Sequence, residues 1–218
     1  MSLATKIMGF LRGTTDEKQV EVSRHGALYT QHDLPIYTDL VRRNLVWRVS
    51  ETTAVAALIG STYPTTASQL VLYNNESEGS GKSYIIMGVT ASQIGAGAAL
   101  ASWHVIFGVS QIKPTTLPTG DLAALVIRPM RGNGGAYSGK ALVDLAPTLN
   151  VDPIYQPISN MNASNNVNSL AGPGQTVRVD GLVILPPSSQ IALAVVASDT
   201  GVTTRLGLIW AELYLDLP

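Results

Sequence analysis

The chain has 218 residues with 14 basic and 15 acidic side chains, no cysteine, and only 13 % charged residues, about half the share usual in soluble domains. A net charge of −1 gives no whole-chain basic excess for gripping a phosphate backbone, and the missing cysteine excludes disulfides and thiolate metal sites. The apolar runs are too short to span a bilayer as helices, and no basic amphipathic helix points to a membrane surface. Neither nucleic acid nor a membrane is therefore expected as a partner.

Residues 1–12 loosely mimic a signal peptide, but the apolar part is too short and Lys6 interrupts it; the stretch reads as a short amphipathic arm. Thirteen of the 29 charged residues fall within the first 51 positions. The chain thus divides into a charged, extended N-terminal arm, residues 1–50, and a charge-poor body, residues 51–218. Within the arm the spacing predicts a short helix over 37–43. Pro35 suits its first turn, and Asp39 stands four residues before Arg43.

The body reads as strand after strand. Candidates cover 44–49, 68–73 (stopped by Asn74-Asn75), and 83–94. Gly95-Ala-Gly97 then turns into 99–109, which suits a hairpin of two long strands. Short apolar runs follow at 123–127 and 140–145, separated by a loop over 128–136. Residues 160–169, rich in Asn, read as a long loop. Strands are predicted again at 175–180, 181–185 (ended by Pro186-Pro187), 190–197 and 204–216. No window repeats apolar residues at helical spacing. Eight to ten such strands pack as two sheets or a barrel, and the low charge near the last strand favours an all-β, two-sheet β-sandwich with covered edges.

Gly79-Ser-Gly-Lys-Ser83 matches the end of a phosphate-binding loop, but Glu76 stands where the first glycine is needed and Tyr84-Ile-Ile continues as a strand rather than a helix. It is expected to be a hairpin loop. His25, His32 and His104 lack the short spacings of a ligand pair. No serine sits in a Gly-X-Ser-X-Gly elbow, and the body acids Asp121, Asp144, Asp152, Asp180 and Asp199 mostly flank turns rather than form a carboxylate pair. No catalytic, cofactor or metal site is expected, and the chain reads as non-enzymatic. Tyr37, Arg42, Arg43, Trp47 and Arg48 are the candidate interface residues. They are expected to pack or salt-bridge against a neighbouring subunit, with Trp47 as an aromatic anchor; within them Arg42-Arg43 … Trp47-Arg48 is the one stretch where an aromatic is interleaved with arginines, as nucleic-acid stacking would need.

Three stretches carry a family resemblance. They are Gly26-Ala-Leu-Tyr29 with Leu34-Pro-Ile-Tyr37-Thr-Asp-Leu-Val41, then Leu72-Tyr-Asn-Asn with Gly81-Lys-Ser-Tyr-Ile-Ile86, then Asp180-Gly-Leu-Val-Ile-Leu-Pro-Pro187. In this order they resemble a group of small tailed-bacteriophage virion structural proteins. The resemblance implies a jelly-roll-like sandwich and membership of a virion; it carries over no catalytic residue. The expectation that follows is a capsid decoration (cement) or minor capsid component. It would be made in the host cytoplasm and assembled as a homo-oligomer, most plausibly a homotrimer, on the major capsid protein. The alternative is a tail- or spike-associated sandwich that binds host surface carbohydrate through Tyr137 or the loop over 160–168.

Overall fold

The structure is a computed structural model that describes residues 37–59, 62–95, 102–111, 125–162, 174–198 and 201–215. The compact unit considered below begins at Leu40. Among the described residues one short helix, α1 (Thr38–Arg42), precedes twelve strands. These are β1 (Val46–Ser50), β2 (Val55–Ala56), β3 (Leu58–Ile59), β4 (Leu70–Asn74), β5 (Lys82–Gly95) and β6 (Ser102–Gln111), followed by β7 (Arg128–Pro129), β8 (Ala141–Leu145), β9 (Gln156–Asn162), β10 (Gly174–Leu185), β11 (Ser189–Ala197) and β12 (Thr203–Tyr214).

They form two six-stranded sheets. Sheet 1 runs β10-β5-β12-β1-β7 with β2 added on β12, and sheet 2 runs β8-β4-β11-β6-β9 with β3 added on β11. Eight strands carry the topology. In chain order, the first pairs with the eighth (β1 with β12), the second with the seventh (β4 with β11), the third with the sixth (β5 with β10) and the fourth with the fifth (β6 with β9), all antiparallel. This nesting gives β1-β12-β5-β10 facing β4-β11-β6-β9, which is jelly-roll connectivity. The chain is thus a two-sheet β-sandwich.

Inner faces of both sheets build one core. Trp47, Tyr84, Ile86, Leu206, Leu208 and Trp210 from sheet 1 meet Leu70, Leu72, Trp103, Val105, Ile191 and Leu193 from sheet 2. Strand β11 explains why its sequence is unbroken Ile-Ala-Leu-Ala-Val-Val: it is buried at every position. Its outward Ala192, Ala194 and Val196 lie in a second cluster beneath Leu149 and Tyr155, so segment 146–155 roofs sheet 2. A strand covered on both faces loses the alternation seen when one face is wet. Gly108, opposite Ala192 on β6, lets the roof sit flush; a Cβ there would stand 2.6 Å from Pro153.

Several expectations change. Strands β5 and β6 belong to different sheets, so they are not a hairpin, and the loop before β5 joins sheet 2 to sheet 1 rather than closing one. The run 123–127 is no strand where it is described; Leu125 and Ile127 are buried in the core, and the strand there is the two-residue β7. Residues 160–162 continue β9 instead of starting a loop, and 163–169 lie outside the described residues. The sandwich also reaches back before residue 51, because β1 is an inner strand between β12 and β7.

Candidate functional site

A polar cluster closes one end of the sandwich. Glu212 sits on β12, 5 % exposed, between apolar neighbours. One of its carboxylate oxygens accepts from the Tyr137 hydroxyl at 2.6 Å and from the Trp210 indole N–H at 3.3 Å; the other lies 2.7 Å from the Lys82 ammonium. Lys82 Nζ also donates to Glu76 at 3.1 Å, and the exposed Lys140 approaches the same Glu76 carboxylate at 3.7 Å. The Tyr137 hydroxyl accepts from the Ala141 backbone N–H at 2.8 Å, and its ring packs edge-on against Trp47 at 4.8 Å.

Burial pushes the Lys82 pKa down, but the hydrogen bonds and charges of Glu212 and Glu76 outweigh it and leave the group raised. Burial raises the phenol of Tyr137 far above its ordinary value, and the neighbouring Tyr84 and Glu212 add to this; Tyr137 is a fixed donor. Tyr84 points into the same cluster, next to Tyr137, without a partner of good hydrogen-bond geometry. An ammonium fills the gap between the two carboxylates. The arrangement is a latch that ties the loop after β4, the segment before β8 and the end of β12. Asn74 strengthens it: wholly buried, its amide donates to Lys82 O at 3.0 Å and Leu185 O at 2.9 Å.

The outer face of sheet 1 is different in kind. The row Ile184–Ile85–Ala211–Val46 crosses four strands; Val46 and Ala211 are buried and only its β10 end, Ile184, is exposed. On β10 the register slips between Arg178 and Val183, with Asp180 and Gly181 at positive φ. This bulge displays Leu182, 90 % exposed, the most exposed of the large apolar side chains among the described residues. Across the sheet, Arg48 on β1 stands directly opposite Arg128 on β7, and both are exposed. Arg131, just beyond β7, donates to the Arg42 carbonyl at 3.1 Å.

No family model matches this chain, and no curated protein matches it.

The predicted interface residues separate into two groups. Arg42, Arg43 and Arg48 are exposed along one edge, with Tyr37 partly buried ahead of α1. Trp47 is 7 % exposed and belongs to the core, because the alternation of β1 turns it inward while Arg48 faces out. It packs on this chain's own Tyr137 and is not a surface anchor. Tyr137 is partly buried against the core, its hydroxyl bonded to Glu212 and its ring packed on Trp47. Sequence reasoning missed Arg128 and Arg131, read there as loop residues, because only the β1–β7 pairing brings them beside Arg48. It also missed the latch. Its one visible signal is an acid, Glu212, inside an apolar strand, where an unpaired charge is not tolerated. Lys82, noticed for a phosphate loop, is instead the counterion. Among the described residues no group of three or more His, Asp or Glu could hold a metal ion. His104 is half-buried on β6, while His25 and His32 lie outside the described residues.

Proposed function

We propose that this chain is a non-enzymatic structural subunit of a bacteriophage virion, a capsid decoration or minor capsid component, and that it works by closed self-assembly on the particle. The observation that carries the reading is the inequality of the two sheets. Sheet 2 is roofed by its own chain, whereas sheet 1, buried at Val46 and Ala211, opens at its β10 edge, where it displays Leu182 and Ile184. A bulge on an edge strand blocks strand-to-strand addition and re-aims a side chain. Leu182 is therefore set to enter a neighbour's surface as a side-chain knob. A symmetric ring repeats that contact in every copy, so modest contacts sum to a stable assembly. The low charge supports the same reading, since interface centres are depleted of charged residues. Jelly rolls recur in viral capsids and also in lectins, and that support is analogy at the level of the fold.

Particles purified from cells carrying the natural genome test this proposal. Mass spectrometry should find the chain in them, and a reconstruction should show symmetric copies seated on the shell with Leu182 at a contact between copies. Particles that contain every other shell protein but lack this chain would overturn it.

A further inference from the structure

We infer that the β1–β7 edge of sheet 1 is a binding surface for the phosphodiester backbone of nucleic acid. This inference does not rest on the assembly reading above. Arg48 and Arg128 face each other across adjacent antiparallel strands, where side chains on one face stand about 5 Å apart. Like charges placed so are mutually destabilising, and no acidic side chain pairs with either one among the described residues. Arg131 follows within the next turn, its guanidinium held near α1 by the Arg42 carbonyl. Arg42 and Arg43 stand exposed at the end of that helix. Arg205, also exposed, lies on the same outer face of β12, four residues from the position opposite Arg48, about 13 Å along the strand. Three distant segments of a chain whose net charge is −1 thus bring arginines together on this side of sheet 1, with Asp39 on α1 and Glu51 beside Arg205 as the neighbouring acids. Whole-chain charge gives no hint of it.

The chemistry favours phosphate. Every cation there is a guanidinium, whose planar fork grips phosphate oxygens bidentately, whereas lysine acts as a point charge. A protein partner would want an apolar centre with few charges; here Val126 and Met130, 48 % and 38 % exposed, flank Arg128 and stand among guanidinium groups, while the far more exposed Leu182 lies on the opposite edge strand. The facing, acid-free pair Arg48 and Arg128, with Arg131 beside it, matches a polymer that carries a charge on every residue. The contacts would go to phosphates, so binding should be indifferent to base sequence.

Fluorescence anisotropy of the full chain with labelled single-stranded and duplex DNA of mixed sequence tests this. Binding should weaken steeply between about 50 and 200 mM salt. The double variant Arg48→Gln/Arg128→Gln should bind at least about tenfold more weakly, with a salt slope smaller by about two. Arg178→Gln, which removes an arginine already paired with Asp180, should bind as the parent does. The single variants Arg48→Gln and Arg128→Gln report separately should the double variant fold poorly. No binding at the lower salt, binding untouched by the substitutions, or equal displacement by poly-glutamate, which would reassign the edge to an acidic protein segment, would each overturn the inference.

Discussion

The Lys82 ammonium lies 2.7 Å from a carboxylate oxygen of Glu212, and through Glu76 and Tyr137 that contact joins both sheets at one end of the sandwich. Glu212 is far more buried than its partner, with side-chain exposures of 5 % and 19 %. Removing the cation therefore strands a charge that water cannot reach. Lys82→Met should cost on the order of 2–4 kcal/mol in urea unfolding. Glu212→Gln keeps the acceptor for Tyr137 and should cost less. Equal costs would mean that the pair acts only through packing.

Asn74 tests the same end of the fold without charge. Its side-chain amide satisfies the carbonyls of Lys82 and Leu185, and its oxygen accepts from the Glu76 N–H. Asn74→Ala leaves these groups orphaned in a buried place and should lower stability by about 2–3 kcal/mol. A loss under about 0.5 kcal/mol, the size of an ordinary surface change, would contradict this role.

Glu51 predicts an unusual pH dependence. Burial pushes its carboxyl up to about 7 from an ordinary 4.5, against the Leu206 N–H and the Arg205 charge, which pull it down. One oxygen accepts from Leu206 at 2.8 Å and the other has no partner. Between those two values the folded chain holds more protons than the unfolded one, so stability falls as pH rises. The contribution is full below about 4.5 and gone above about 7, a span worth about 3 kcal/mol. Glu51→Gln should flatten the fall between pH 5 and 8 in urea titrations. Parallel curves for the two proteins would refute the assignment.

Most of the strands were legible, and the reason is local. β5, β11 and β12 are long, β-branched and bounded by Gly, Pro or Asn, so neighbouring residues suffice to predict them. Sheet membership was not legible. Val46 pairs with Ala211 and Val71 with Ala192, partners no window can see, so consecutive β5 and β6 read as a hairpin. Trp47 was misplaced for a related reason: its exposed neighbours Arg43 and Arg48 made the stretch look like surface, while the pleat turns only alternate residues outward. The arginine edge and the Lys82–Glu212 latch are products of long-range pairing, and composition hid both.

Sedimentation equilibrium of the full chain, beside its Leu182→Arg variant, tests the assembly claim most directly. The parent should sediment as a closed homo-oligomer, with a trimer as the expected mass, and the variant as a folded monomer, because a guanidinium cannot enter the apolar seat that Leu182 fills. A parent that remains monomeric across micromolar concentrations would contradict the account.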